Sequence, residues 1–345
     1  MKVYFNIILA VFILSCSGEK EIVTSFTPKT HVLTPERVFE DFGEGVFFTR
    51  TTINSDEERI YVANINPAAL FILDKDFNLL KLVEERGDGP GALLSPIQIV
   101  PTEHGLMVED RGNYRISIFH PVTGEYLEEI NIPDAVSTWR FFYENGEFYF
   151  PLKGYQSDSL SVLKVNSQGE PIGKFGALMP QVKGDFNRQA RLIQPFGDDK
   201  IMLIGINLPY LDILTKAGNH LVTHRLDQFE PLKRALDSLE NDFKKPGYER
   251  GIKEIKHILI DAQYTGEKLY LTFTDRIGLD RSKVRHMLEI SVSESGVNLD
   301  RMFRFETSSP DDNLHPFTFH VDQKAGKIYT QGLITQNIYV FNLPD

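Results

Sequence analysis

The chain has 345 residues, 41% hydrophobic and 25% charged, enough apolar material to bury a core, which excludes a disordered tail. Its 37 lysines and arginines against 48 aspartates and glutamates give a net charge of −11, with no run of five like charges, which excludes the basic footprint of a nucleic-acid binder. The single cysteine, Cys16, excludes internal disulfides, a CxxC redox pair and a cysteine-rich zinc site.

Residues 1–15 carry one positive charge at Lys2, then an apolar run ending in a small residue, the order of a secretory signal. The run Ile7 to Leu14 is far short of the ~20 residues that span a bilayer as a helix. The segment Ile13-Leu14-Ser15-Cys16 resembles a bacterial lipobox, which implies cleavage before Cys16 and lipidation of that cysteine. Acyl chains contribute ~0.8 kcal/mol per buried CH₂, so several make a stable membrane anchor. Residues 16–29 then serve as anchor and tether. Ser17-Gly18-Glu19-Lys20-Glu21 resembles the acidic tether of some Bacteroidota-type surface lipoproteins; an ordinary solvated linker has the same composition.

From residue 30 to 345 one pattern recurs. A turn precedes a run of aromatic and branched residues at Ile60, Leu106, Glu147, Lys200, Lys268 and Lys327, at spacings of 46, 41, 53, 68 and 59 residues. Each run is followed by a second strand and a hairpin turn, such as Asp74-Lys75-Asp76-Phe77-Asn78 or Val122-Thr123-Gly124-Glu125, and then by another strand. Four strands per block with this period predict an all-β, six-bladed β-propeller. The last block stops one strand short after Asn337 to Phe341. Surplus residues around His31-Val32-Leu33 and Arg37-Val38-Phe39 supply an N-terminal strand that closes the ring.

The stretch Gly87-Asp88-Gly89-Pro90-Gly91, then Ser95 to Ile99 and the Asp110 to Phe119 strand pair, resembles an NHL-type repeat. It is similar to the six-bladed, TolB-like propeller lipoproteins of Bacteroidota-type genomes. That resemblance implies the fold and a cell-envelope location at the outer membrane, facing either the periplasm or the surface, and supplies no reaction.

In a propeller, connections from each outer strand to the next inner strand share a face with those joining second and third strands. Here they are long: Gly87 to Ser95, Phe175 to Gln189, Gln228 to Ile255 and Thr307 to His315. The opposite turns are short, which marks the loop-rich face as the working one. That face is expected to display Asp88, Asn64, Asp110, Arg111, Gly112, Asn113, Tyr155, Asn207, Tyr210, Asp275 and Arg276. Inner strands are expected to turn some of Gln98, Arg140, Gln194, His257 and His320 toward the axis. Mixed amides, guanidinium, carboxylates and aromatics suit a sugar or peptide.

Phe229, Leu232, Leu236, Leu239 and Phe243 form one apolar helical stripe that Pro246-Gly247 would stop. This short helical insert between blades 4 and 5, about residues 228–255, either packs flat on the propeller or acts as a lid; packing is favoured. Asp74 to Glu85 mimics a calcium loop but has Leu79 where that loop requires glycine. His220 and His224 share a face without a third ligand. No cofactor or metal set is readable. The favoured reading is a lipid-anchored, non-catalytic binding or assembly module for an envelope protein, peptide or glycan. The alternative is an enzyme in the central channel, a metal-dependent lactonase or lyase or a glycan-active enzyme, which needs groups such as Asp261, His257 and His320 to converge.

Overall fold

The structure, a computed structural model, describes residues 29–40, 50–133, 136, 140–152, 160–179, 189–244, 257–275, 283–309, 312–314 and 319–344. Two short strands come first, β1 (Thr30–Leu33) and β2 (Arg37–Phe39). Blade 1 then holds β3 (Thr51–Ser55), β4 (Arg59–Asn64), β5 (Ala69–Asp74) and β6 (Leu79–Val83). Blade 2 holds β7 (Pro96–Thr102), β8 (Gly105–Asp110), β9 (Arg115–Phe119) and β10 (Tyr126–Asn131). Blade 3 holds β11 (Phe142–Glu144), β12 (Glu147–Pro151), β13 (Leu160–Asn166) and β14 (Pro171–Ala177). Blade 4 holds β15 (Arg191–Phe196), β16 (Lys200–Gly205), β17 (Tyr210–Thr215) and β18 (His220–Arg225). After helix α1 (Glu230–Phe243), blade 5 holds β19 (Leu259–Tyr264), β20 (Lys268–Asp275), β21 (Lys283–Ser293) and β22 (Gly296–Phe305). Blade 6 ends the chain with β23 (His320–Asp322), β24 (Lys327–Gln331) and β25 (Ile338–Asn342).

The recurring aromatic and branched runs are the second strands. Each is flanked by strands on both sides and covered by a neighbouring blade on both faces, so it reads as continuously apolar instead of alternating. In β4, Ile60 and Val62 pack with Tyr329, Ile338 and Val340 of blade 6, while Tyr61 and Ala63 pack with Leu93, Ile99 and Leu106 toward blade 2. Fourth strands such as β6 and β18 face solvent, and none of their residues is buried.

Ring closure is as expected, with one addition. β2 pairs antiparallel with β25, Arg37 opposite Val340 and Phe39 opposite Ile338, and supplies the missing fourth strand of blade 6. Phe39 stacks on Phe77 of blade 1 at 3.9 Å between centroids, tying that seam. β1 does not join blade 6. It runs parallel to β22 and makes blade 5 five-stranded, with Leu33 buried among Phe303, Phe305 and Phe341. Both outer edges are thereby covered by the same N-terminal segment.

The inner strands are joined by side-chain amides. Gln98 of blade 2 donates to the Phe141 carbonyl and accepts from the Phe141 amide, each at 2.8 Å. Gln194 of blade 4 bridges Ala262 O and Tyr264 N of blade 5 at 3.0 and 2.9 Å. Gln263 of blade 5 bonds both backbone groups of Val321 in blade 6 at 2.9 and 2.8 Å. Asn54 donates to Ile99 O at 3.0 Å, and Gln331 of blade 6 accepts from Thr51 N at 3.1 Å. Gln98 and Gln194 were expected at the axis as ligand contacts; the backbone of the next blade engages them instead.

Helix α1 buries Leu232, Ala235 and Leu239 in the cluster shared by blades 4 and 5, with Ile206, Leu211 and Leu226. The apolar stripe is therefore a packing face. Pro246, Gly247, Ile252 and Ile255 lie outside the described residues.

Glu109 on β8 is fully buried, and neither carboxyl oxygen has a hydrogen-bond partner among the described residues. Burial pushes its pKa up from 4.5 to about 8, opposed by the Arg111 guanidinium. A raised folded pKa means the native state holds the proton that the unfolded chain releases. The stability it confers is complete below about 4.5 and is lost as pH rises through about 8. Glu109→Gln should therefore gain stability over the parent progressively between those limits, on the order of a few kcal/mol by pH 8. Urea unfolding at pH 5 and pH 8 measures it; an equal difference at both would refute the buried-acid assignment.

Candidate functional site

On the loop-rich face, polar side chains predicted from the sequence as ligand groups are largely engaged in holding the loops. Asp110 accepts from Ser95 N at 2.7 Å, from Leu94 N at 3.1 Å and from Asn113 Nδ2 at 2.6 Å. Asn113 also donates to Gly87 O at 2.9 Å. Arg115, buried against β9, donates to the carbonyls of Asp88, Gly89 and Ala92 at 3.1, 2.8 and 2.7 Å and pairs with Glu129 at 2.6 Å. The glycine-proline loop is thus sewn to blade 2. Gly91 needs its freedom there: its φ is +79°, and a Cβ would stand 3.0 Å from Tyr126 Cβ. Arg111 donates to Val136 O at 2.8 Å. Asn64 is buried and donates to Pro67 O at 2.8 Å. Asp88 alone of this group presents an exposed side chain.

Asp312 plays the matching part in blade 6, accepting from Ile334 N at 2.7 Å, Thr335 Oγ1 at 2.6 Å and Tyr339 Oη at 3.1 Å. No sequence motif drew attention to it. The two held loop sets carry exposed apolar side chains: Leu94 and Tyr114 on blade 2, Leu333 and Ile334 on blade 6. Tyr155 and Arg276 lie outside the described residues, as does the side chain of Asp275. Tyr210 lines a separate cavity of about 400 Å³ with Arg191 and Asp212, away from the axis.

A side chain crosses the channel. Arg140, just ahead of β11, donates Nε to Asp261 Oδ1 at 2.8 Å, and Nη2 to Asp261 Oδ2 and Phe319 O at 2.6 Å each. Blade 3 borders only blades 2 and 4, so a guanidinium that ends on blades 5 and 6 must cross the axis. Burial raises the pKa of Asp261, while Arg140 and the Ala262 amide oppose that shift. His257 meets Asn207 at 3.2 Å, and burial lowers its pKa to about 4. His320 faces Ser55 at 2.9 Å, and burial lowers its pKa to about 3. The three groups that a channel enzyme would bring together are therefore held by three different partners. Among the described residues no three His, Cys, Asp or Glu side chains are grouped to hold a metal.

The sequence places His320 among the ligand groups turned toward the axis. It lies instead on a cavity of about 720 Å³ that opens on the short-turn face, with Ser55, Lys75, Gln263, Asp322 and Lys324. Their dispersal over turns and strand ends of blades 1, 5 and 6 left no motif to read. Lys75 sits in the turn that mimics a calcium loop. There Asp74 accepts from Asp76 N, Asn78 N and Asn78 Nδ2 at 2.9, 2.8 and 2.7 Å, the pattern of a capped hairpin turn. His220 and His224 bond Thr223 Oγ1 and Ser293 O, both at 2.9 Å.

Truncating Arg140 to alanine would leave Asp261 charged and buried, an expected loss of about 3–5 kcal/mol in denaturant unfolding. The double variant Arg140→Met, Asp261→Asn should recover most of that loss, since removing both charges removes the unpaired one. Additive losses in the cycle would refute the pairing.

The comparisons concern fold. A family model described as DUF5128, 6-bladed beta-propeller, matches residues 49–213, from blade 1 into blade 4. No curated protein matches the chain. A protein of Bacteroides fragilis named as exported superposes with a TM-score of 0.56 at 10% identity, covering 88% of this chain and 85% of that one. A DUF4221 family member from Bacteroides vulgatus gives 0.50 at 8% identity over 92% and 96%. Streptogramin B lyase gives 0.50 at 11% identity over 89% and 97%. With six sheets in sequence, closure by β2 and this family match over residues 49–213, the chain is a six-bladed β-propeller.

Proposed function

We propose that this propeller is a lipid-anchored binding or assembly module of the cell envelope, engaging a protein, peptide or glycan through its loop-rich face. The observation that carries the reading is the exposure of Leu94 (37%), Tyr114 (48%), Leu333 (43%) and Ile334 (57%) on that face. Their loops are fixed from below by Asp110, Arg115 and Asp312. Large apolar side chains on held loops bind with little ordering cost, which favours a protein or peptide partner. The likeness to an exported protein fits the secretory signal and Cys16, and supports an extracytoplasmic address. Outer-membrane attachment through a lipidated Cys16 completes the reading.

Two experiments test the two parts. Cys16→Ser should move the full-length protein out of the membrane fraction and abolish labelling by an alkyne fatty acid; unchanged labelling would refute the anchor. A photo-crosslinking residue at Tyr114 or Ile334 should form a discrete adduct in cells, while the same residue at Leu127 or Leu221 on outer strands should not. Equal adducts from all four sites would refute the loop-rich face as the docking surface.

A further inference from the structure

We infer that the cavity on the short-turn face is a second binding site, built for a neutral, polyhydroxylated small molecule such as a mono- or disaccharide. Its volume of about 720 Å³ falls within the range of small-molecule sites. It lies on the opposite side of the ring from the loops discussed above, so it stands or falls independently of them.

The site's proton arrangement follows from its carboxylate. Hydrogen bonds hold Asp322 below the usual carboxylate range despite burial: from the Ala325 amide at 2.9 Å, Lys75 Nζ at 2.9 Å and Ser55 Oγ at 2.8 Å. An ionised carboxylate only accepts, so Ser55 donates its one hydroxyl proton to Asp322. The 2.9 Å contact between Ser55 Oγ and His320 Nε2 then requires Nε2–H as the donor. That orientation excludes His320 as a base toward Ser55. It leaves Nδ1 as an acceptor with no partner among the described residues, on a side chain only 6% exposed. Stacking on Tyr329, at 6.0 Å and 15° between planes, fixes the ring. A ligand group that reaches Nδ1 would therefore be an O–H or N–H donor.

The remaining charges choose among such ligands. Lys75 pairs with Asp322, and Lys324 pairs with Glu57 at 2.6 Å. Asp56, the third carboxylate, accepts from the Glu58 and Arg59 amides and from Tyr61 Oη, at 2.8, 2.6 and 2.5 Å. Each ammonium thus has its counter-ion, and the one carboxylate beyond these pairs, Asp56, has both oxygens taken by neutral donors of its own strand and turn. An anion would have to break a pair to enter, and a cation would have to compete with the two amides and the phenol that already bond Asp56. A hydroxyl would not: it can accept a remaining Lys75 N–H and donate to Nδ1 or a carboxylate at once. Several hydroxyls on one compact frame match this alternation of donors and acceptors.

Titration calorimetry of the protein with glucose, galactose, mannose and their disaccharides tests the inference, with glucuronate and glucosamine as charged counterparts. At least one neutral sugar is expected to bind, and to bind more tightly than either charged counterpart. His320→Phe and Lys75→Met should each weaken it by about tenfold or more, while Tyr114→Ser on the opposite face should leave it unchanged. Lys75 is a turn residue whose replacement spares the core, so its variant reads binding even where His320→Phe unfolds. Three results would overturn the inference: no neutral sugar binding, tighter binding of a charged counterpart, or binding that survives Lys75→Met.

Discussion

A propeller turns the inner edge of every sheet toward its own axis, where backbone groups have neither a sheet partner nor ready access to water. An unpaired buried amide or carbonyl costs about as much as a lost hydrogen bond, and six sheets repeat the liability. This chain meets it with side-chain amides. Gln98, Gln194 and Gln263 each bond an N–H and a C=O of the following blade, so one residue satisfies two groups and sets the angle between two sheets. Arg140 does the same at longer range by giving one N–H to Phe319 O while pairing with Asp261. The packing of apolar faces between blades is non-directional; these bonds supply the direction.

That division explains what was legible. Hairpin turns and apolar second strands obey local rules, so the six blocks, the helix stripe and the missing last strand could be read from residue order. The parallel docking of β1 on β22 could not, because four residues from Thr30 to Leu33 suit an edge in blade 5 as well as one in blade 6. The deciding fact is which apolar pocket receives Leu33, and that pocket is assembled from Phe303, Phe305 and Phe341, some three hundred residues away.

The site was less legible for the same reason. Asp110 and Asn113 look identical in sequence whether they greet a ligand or cap a loop, and here they cap. Gln98 and Gln194 were rightly assigned to inner strands, but the register of the adjacent blade decides whether an amide finds backbone or solvent. The residues around the short-turn cavity belong to turns of three blades. Ser55, Lys75 and Asp322 become neighbours only once blade 6 is closed against blade 1, and no spacing along the chain records that event.

Burial also decides which charge states the interior tolerates. It favours the neutral form of a group unless a partner stands close. Asp261 is pushed upward by burial with Arg140 opposing the push, and the equally buried Arg191 lies against Asp212. Burial pushes Glu109, His257 and His320 toward neutrality, the acid upward and the histidines downward. The consequences for stability run in opposite directions. The histidines keep protons off the native state that the unfolded chain takes up below its ordinary 6.5, so their contribution falls as pH falls toward about 4 and about 3. Glu109 keeps a proton on the native state, so its contribution falls as pH rises toward about 8. Between about 4.5 and 6.5 the two slopes oppose each other. There the two histidines outweigh the one carboxyl, so a core built this way loses stability on the acid side through blades 5 and 6 and on the alkaline side through blade 2.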